Sequence, residues 1–250
     1  MAPATQPQPE RPQLNGRLDY ERARGSTEAF IVPLLANAIR QRLSTLPPGA
    51  GRAALDVGCG RQPLRAEIER LGYHYTGLDM QQDSLRPVDV IAPIDAPAPP
   101  ELIARGPFAF ILCTEVLEHV ADWDAAFANF ARLLGPGGRV LLTCPHLYPP
   151  HEVPYDFWRP TEHAIGYWAG RHGLTLRSAE RLGSGWDVLG TLLACVNPSP
   201  TGSARWRPGA VCFRAARRAV VGLLRRGIPQ RLVTLDTRIC LSVLAELEKP

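Results

Sequence analysis

The 250-residue chain lacks several features that would assign it to a class of protein at once. No apolar run reaches the roughly 18 residues that a membrane-spanning helix needs, so we expect no transmembrane segment. Residues 1–17 contain no apolar stretch of the kind found in a signal peptide, and their richness in proline and glutamine predicts a disordered tail. The six cysteines form no C-x-x-C pair. We expect them to be reduced, which favours a cytoplasmic protein.

One segment near the C-terminus lacks acidic residues. Residues 205–231 hold eight arginines and no Asp or Glu, whereas the rest of the chain has 20 basic and 24 acidic residues. The positive net charge of +4 is therefore due to this segment, since the rest of the chain is negative. It predicts an amphipathic helix with an apolar face (Phe213, Ala216, Val220, Leu223, Leu224) and a basic face (Arg214, Arg218, Arg225). Such a helix could contact an anionic membrane or bind phosphates. The favoured alternative is a lid packed on the domain with its arginines in water.

Through the middle of the chain, short apolar runs alternate with helix-like stretches. Five runs are predicted to be buried strands: Ala53–Val57, Tyr75–Leu78, Val88–Ile91, Phe108–Cys113 and Arg139–Cys144. The predicted helices between them are Leu64–Leu71, Pro100–Ala104 and Asp122–Leu134. This alternation is typical of an α/β fold, a doubly wound and mostly parallel sheet with helices on both faces.

Further elements flank this core. The predictions are a helix at Thr27–Leu43 before the sheet, then a helix at Thr161–His172, a strand at Leu174–Arg181 and a last strand within Ile239–Lys249. We therefore expect a single domain over residues 18–250. Residues 18–50 would form an N-terminal helical cap, and residues from about 186 to 235 a basic helical insertion.

A glycine turn follows the first predicted strand. Gly58 and Gly60 form a G-x-G that allows close backbone approach to a ligand, but Pro63 stands where a dinucleotide-binding loop carries its third glycine. Asp56 precedes the glycines and would repel a pyrophosphate. Asp79, 19 residues after Gly60, suits hydrogen bonds to both hydroxyls of a ribose. The pattern predicts a ligand with a ribose and a cationic group but no phosphate, such as S-adenosylmethionine.

Four segments, LDVGCG, GLDM, FILCTEVLEHV and LLGPGGRVLLTCP, occur in this order. Together they resemble the successive motifs of class I S-adenosylmethionine-dependent methyltransferases over about residues 53–165. The resemblance implies a Rossmann-like sheet of seven strands with the last one antiparallel. In such enzymes a residue like Gln62 is tolerated in place of the third motif glycine. The resemblance also implies where the cofactor lies. Its methionine part would lie by Asp56, Gly58 and Gly60, and its ribose would bind Asp79. The adenine ring would pack on Met80 with its amino group at Asp95, and the pocket would be lined by Cys113 and Thr114.

The string EVLEH follows the fourth predicted strand. Its Glu115, Glu118 and His119 are spaced i, i+3 and i+4, which puts them on one face of a predicted helix start. They could bind a divalent ion, Mg²⁺ or Mn²⁺, with His151 as the nearest candidate for a fourth ligand. The string resembles the Glu-x-x-Glu-His cluster of metal-assisted O-methyltransferases, including ubiquinone-type and small-RNA 3′-terminal enzymes. The alternative is a helix cap with a solvated face, since many family members carry the same letters.

The stretch CPHLYPPHEVPYDFWRPTEH, Cys144–His163, follows the fifth predicted strand, where this family shapes its acceptor site. Its part HEVPYDFWRPT resembles a string found in bacterial methyltransferases from polysaccharide and glycan clusters. Arg159 could pin an anionic acceptor, or it could form a structural pair with Asp156. Either His151 or Asp156 could act as general base. The full set of candidate catalytic residues is His151, Asp156, Tyr155 and His119.

These observations predict a cytoplasmic S-adenosylmethionine-dependent methyltransferase that methylates an oxygen atom of a small molecule or glycan. It would be peripheral to the membrane if the basic insertion binds lipid. One alternative is a metal-assisted methyltransferase of RNA 3′ ends. Another is a non-catalytic module that binds the cofactor, against which the intact Asp56, Gly58, Gly60 and Asp79 speak. Nucleic acid is the less favoured partner, because the main domain does not interleave aromatic with basic residues.

Overall fold

The computed structural model describes residues 28–83, 85, 87–196, 208–233, 235 and 238–250. The predicted tail at residues 1–17 lies outside the described residues, as do residues 18–27 of the predicted cap and residues 197–207 of the predicted insertion. Within the described part of the chain, seven strands form one sheet.

The elements match the sequence predictions within a few residues, with one exception. The strands are β1 (Ala53–Val57), β2 (His74–Asp79), β3 (Val90–Ile91), β4 (Phe108–Thr114), β5 (Leu134–Pro145), β6 (Thr175–Leu182) and β7 (Ser242–Glu248). The helices are α1 (Glu28–Ser44), α2 (Arg65–Arg70), α3 (Pro100–Ile103), α4 (Trp123–Leu133), α5 (Glu162–Arg171), α6 (Gly185–Cys195), α7 (Pro208–Arg225) and α8 (Ile228–Leu232), and Leu117–His119 form a short 3₁₀ turn.

The exception is β5, which begins at Leu134 and not at Arg139. Leu134 directly follows α4 and already pairs with Phe108 of β4. The register then shifts before Arg139 pairs with Phe110, and Gly137 between them has a φ of +69°. The amide of Gly137 donates to the carbonyl of Lys249 at 2.8 Å, beyond the end of β7. Partners distant in sequence therefore bring residues 134–138, which the predicted strand did not include, into β5 as an irregular first part.

The sheet has the order β3-β2-β1-β4-β5-β7-β6. Strands β1 to β5 pair in parallel, whereas β7 is antiparallel to both β5 and β6. This confirms the predicted Rossmann-like sheet with an antiparallel last strand. The strand order changes direction between β1 and β4, and ligands of open α/β sheets bind at the carboxyl ends of the strands beside such a switch point.

Both faces of the sheet are buried, because successive side chains of a strand point to opposite sides. Ile111 and Cys113 of β4 belong to the core layer under α4 and α5. Phe110 and Leu112 belong to the layer that includes α1, α2, α6 and the end of α7. Helix α4 begins at Asp122, whose carboxylate accepts the amide hydrogen of Ala125 at 3.0 Å.

Helices α6, α7 and α8 lie between β6 and β7, which confirms the predicted helical insertion near the C-terminus. Of the predicted apolar face of α7, only Leu224 is buried; Phe213, Ala216, Val220 and Leu223 are exposed. The helix therefore does not pack on the domain through that face. None of the described helices is both long enough and apolar enough to cross a membrane.

Candidate active site

A cavity of about 400 Å³ lies at the carboxyl ends of β1, β2 and β4. Most of the predicted site residues line it: Asp56, Gly58, Gly60, Asp79, Met80, Asp95, Thr114, Glu115, His119, His151 and Tyr155. Cys113 and Glu118 are fully buried and do not line it, and neither does Asp156. The sequence analysis missed the wall formed by Glu28, Ile31 and Leu35 of α1, because no local signal links this helix to motifs so far along the chain.

The loop after β1 has a backbone that favours glycine. Gly58 and Gly60 have φ values of +66° and +52°, and a Cβ added to Gly58 would lie 2.3 Å from a methyl carbon of Val116. The amide of Gly58 donates to the carbonyl of Leu78 at 2.8 Å. The loop is therefore held tightly against the end of β2, and a bound ligand can approach its backbone closely.

Asp79, the last residue of β2, connects this loop to the rest of the cavity. Its Oδ2 accepts the amide hydrogen of Gly60 at 2.9 Å, and its Oδ1 accepts that of Gln81 at 3.1 Å. A carboxylate oxygen can accept more than one hydrogen bond. The same two oxygens that order the backbone can therefore also accept hydrogen bonds from ligand hydroxyls.

Asp56 is a buried acid in the cavity wall. Its Oδ2 accepts a hydrogen bond from the Tyr75 hydroxyl at 2.7 Å. The pKa of Asp56 is raised to about 7, chiefly by burial; the bond from Tyr75 lowers it, and the neighbouring charge of Asp79 acts in the same direction as burial. A cation bound in the cavity would stabilise the ionised carboxylate, whereas a phosphate would be repelled. The electrostatics of the wall thus fit a positively charged ligand.

A second group of titratable side chains lies at the other end of the cavity. The ligating atoms of Glu118, His119 and His151 all lie within 4.8 Å of one another, and the Nε2 atoms of both histidines lie 3.7 Å from Glu118 Oε1. Oε1 is buried and has no hydrogen-bond partner among the described residues. The His119 Nε2 also lies 3.7 Å from Glu152 Oε2. We call Glu118, His119 and His151 the Glu-His-His cluster. It could hold a divalent ion.

Glu115 does not join this cluster, and the predicted common helical face is wrong. Glu115 has a φ of +53°, and the residues after it form a 3₁₀ turn in place of an α-helix. Its Oε1 accepts a hydrogen bond from the hydroxyl of Ser242 in β7 at 2.9 Å. Burial raises the pKa of Glu115 to about 7. The spacing i, i+3, i+4 carries no geometric meaning where the backbone leaves the helical region.

His151 is held by an ion pair behind it. Its backbone amide donates to Asp156 Oδ2 at 2.7 Å, and its Nδ1 lies 3.4 Å from the same oxygen. The guanidinium of Arg159 donates to both carboxylate oxygens of Asp156, at 2.6 Å to Oδ2. Burial acts to raise the pKa of Asp156, but Arg159 and the His151 amide outweigh it and hold the pKa below its usual value. The structure thus has the predicted Asp156–Arg159 pair, with Arg159 directed at Asp156 and nearby carbonyls.

The two histidines differ in their hydrogen bonds. His119 Nδ1 lies 2.7 Å from the carbonyl of Tyr155, which can only accept a hydrogen bond, so Nδ1 carries a proton. Burial lowers the pKa of His151, and the neighbouring His119 lowers it further. His151 is therefore neutral at neutral pH and able to accept a proton.

Comparison with known proteins identifies the family of this chain. A family model described as a methyltransferase domain matches residues 31–183. Among curated relatives, a ubiquinone biosynthesis O-methyltransferase of Ralstonia nicotianae is 33% identical over 113 residues, which are 42% of this chain and 48% of the relative. The enzyme of the same name from Proteus mirabilis is 33% identical over 124 residues, 45% of this chain and 49% of the relative. The chain thus spans about half the length of these curated relatives.

Solved structures show the same fold at low identity. An S-adenosylmethionine-dependent methyltransferase from Mesorhizobium loti aligns with a TM-score of 0.52 at 15% identity, covering 86% of this chain and 97% of that one. A cyclopropane synthase from Mycobacterium tuberculosis aligns with a TM-score of 0.52 at 16% identity, covering 92% and 95%. Because the family model covers more than half of the chain and the sheet has the expected topology, the chain belongs to the methyltransferase-domain family and has the class I fold.

Proposed function

We propose that this chain methylates an oxygen atom of a small-molecule or glycan acceptor, with His151 as the general base. The observation that carries the proposal is that His151 lines the cavity and has Asp156 behind its Nδ1. The O-methyltransferase names of the curated relatives support oxygen as the acceptor atom.

The cofactor end of the cavity is assigned to the glycine loop and the end of β2. The bound cofactor supplies an electrophilic methyl group. Gly58 and Gly60 leave room for it against the backbone, Asp56 faces its positive charge, and Asp79 accepts from its ribose. Met80, partly exposed in the cavity wall, would cover the adenine, and Asp95 would reach the adenine amino group. Thr114 lines the pocket, while Cys113 supports it from the core.

Proton removal is assigned to His151. The neighbours of its Nδ1, Asp156 Oδ2 and the carbonyl of Pro149, each 3.4 Å away, only accept hydrogen bonds. The proton of the neutral ring therefore belongs on Nδ1, which leaves the lone pair of Nε2 to take the proton of an acceptor hydroxyl. The resulting imidazolium is stabilised by the ionised Asp156. Asp156 is thus a positioning residue and not the base itself, and Tyr155 and His119 shape the wall beside the acceptor.

The test replaces His151→Gln, with His146→Gln as the matched control. His146 lies in the same loop, bonds a backbone carbonyl at 2.9 Å through Nδ1 and does not line the cavity. Release of S-adenosylhomocysteine is measured with a panel of phenolic and sugar acceptors. We expect kcat to fall by about 10²–10⁴ in His151→Gln, with unchanged cofactor affinity and loss of the acidic limb of the pH profile. Full turnover in His151→Gln would refute the assignment.

A second candidate is metal-assisted transfer, in which the Glu-His-His cluster holds a divalent ion and His151 is a ligand. The buried Glu118 Oε1 without a hydrogen-bond partner favours it. Two imidazoles in the donor set favour Mn²⁺ or Zn²⁺ over Mg²⁺. Calorimetric titration with Mn²⁺ of the wild type and of Glu118→Gln tests it without an activity assay. Absence of binding to the wild type, or equal binding to both, would remove this candidate.

A further inference from the structure

Helix α7 turns much of its apolar surface to solvent. Phe213, Val220 and Leu223 are 47%, 42% and 44% exposed. The helix is attached to the domain through another face, where Val221 and Leu224 are buried. A well-packed lid helix would show the opposite arrangement, so the exposed apolar residues call for an explanation.

The helical geometry places two rows of side chains on opposite flanks of α7. At 100° per residue, the apolar row (Phe213, Ala216, Val220, Leu223) lies to one side of the buried face, and the arginine row (Arg214, Arg218, Arg225) lies to the other side. Between the rows, on the side away from the domain, run the exposed Cys212, Ala215 and Ala219. A flat surface laid against this strip of small residues would lie between the two rows, and long side chains of both rows could bend toward it.

Attachment to α6 fixes the orientation of the helix. The guanidinium of Arg217 donates to the carbonyls of Leu193 and Ala194 at 3.2 and 3.0 Å, at the end of α6. Helix α6 packs in turn against α1, which contributes to the cavity wall. The two rows are therefore carried by the same helical layer that bounds the cavity.

We propose that α7 docks the protein on an anionic lipid surface. The apolar row and the small residues would enter the boundary between headgroups and acyl chains, and the arginine row would reach lipid phosphates with its long side chains. Residues 208–233 contain six arginines and no acidic residue, and this positive charge is complementary to the negative charge of such a surface. The same composition continues beyond α7, with the exposed Arg226 directly after it and the exposed Arg231 and Leu232 at the end of α8.

Charge favours lipid over a second copy of the chain as the occupant. A symmetric dimer through α7 would bring two arginine rows together without acidic partners on the helix, and like charges at an interface oppose association. An anionic bilayer supplies the missing negative charge and also accepts the apolar row. The proposal concerns binding alone and does not depend on the nature of the methyl acceptor.

The test is flotation of the full chain with phosphatidylcholine vesicles, with and without phosphatidylglycerol. We expect binding only to the anionic vesicles, weakening as salt rises. Each arginine at such a surface contributes roughly fivefold to the partition coefficient, so Arg214→Gln, Arg218→Gln and Arg225→Gln together should weaken binding on the order of 100-fold. The triple variant Phe213→Gln, Val220→Gln, Leu223→Gln should also lose binding.

The matched control removes three exposed arginines elsewhere: Arg70→Gln, Arg105→Gln and Arg177→Gln. This control has the same net charge as the arginine-row variant. If α7 binds the lipid, the control should bind more tightly than that variant; if total charge alone governs binding, the two should agree within about twofold. Equal loss in both variants therefore overturns the proposal. So does failure of the wild type to bind anionic vesicles at low salt, whether or not it binds a single-stranded RNA or forms a dimer. Circular dichroism and thermal melts establish that each variant is folded before its binding is compared.

Discussion

Replacement of Asp79→Asn should weaken cofactor binding. The two carboxylate oxygens accept from the amides of Gly60 and Gln81, and an asparagine has only one oxygen. Its NH₂ group must therefore face one of these backbone donors, which removes one hydrogen bond and disturbs the glycine loop. If a ribose binds the same oxygens, it loses an acceptor as well. A hydrogen bond to a charged group contributes about 1.5–3 kcal/mol, so we expect the affinity for S-adenosylhomocysteine to fall roughly 10- to 150-fold.

Isothermal titration calorimetry measures this loss, and Asp89→Asn is the matched control. Asp89 Oδ2 accepts the amide hydrogen of Gly77 at 2.8 Å, a bond to the same strand, but Asp89 does not line the cavity. We expect Asp89→Asn to lower thermal stability and to change the affinity by less than about twofold. If Asp79→Asn binds as tightly as the wild type, or if both variants lose affinity equally, Asp79 has no specific role in holding the cofactor.

Three further predictions concern the cavity wall and the fold. Because burial raises the pKa of Asp56 to about 7, protonation below that pH removes its charge. The affinity for the cationic S-adenosylmethionine should therefore rise with pH through this range and level off above it, and calorimetry should find no such rise in Asp56→Asn. Gly58→Ala should destabilise the fold by about 1–3 kcal/mol in urea unfolding, because its Cβ would clash with Val116, and Val116→Ala should restore part of the loss; an unchanged midpoint would contradict the clash. Asp122→Ala removes the cap of α4 and should cost about 0.5–2 kcal/mol, which a thermal melt with no shift would disprove.

The strands could be predicted because both faces of the sheet are covered. A run such as Phe108–Cys113 is then apolar at nearly every position, and turn residues mark its ends. The beginning of β5 could not be predicted in this way, since Gly135, Gly137 and Gly138 favour a turn locally. Pairing of Leu134 with Phe108 and of Gly137 with Lys249 holds these glycines within the strand as an irregularity, with Gly137 at a φ of +69°, and both partners are distant in sequence.

The candidate site likewise has residues that the local sequence predicts and contacts that only the tertiary structure forms. Gly58, Gly60 and Asp79 could be recognised from spacing, because a tight turn with positive φ is a local property of the backbone. The convergence of His119 with His151 depends on the path of the loop after β5, and their ring centroids lie 4.8 Å apart. Glu115 is held apart from Glu118 by its hydrogen bond with Ser242, which is 127 positions from Glu115 in the sequence.

Helix α7 shows most clearly what the sequence decides and what the tertiary structure decides. Its sequence alone determines that it can be a helix and that arginines and large apolar residues form separate rows, because both follow from 100° of rotation per residue. Only the tertiary structure decides that Val221 and Leu224, and not Phe213 or Leu223, are buried. The contacts with α6 make that choice, because periodicity sets the angles between side chains while the neighbouring element sets which angle faces the core.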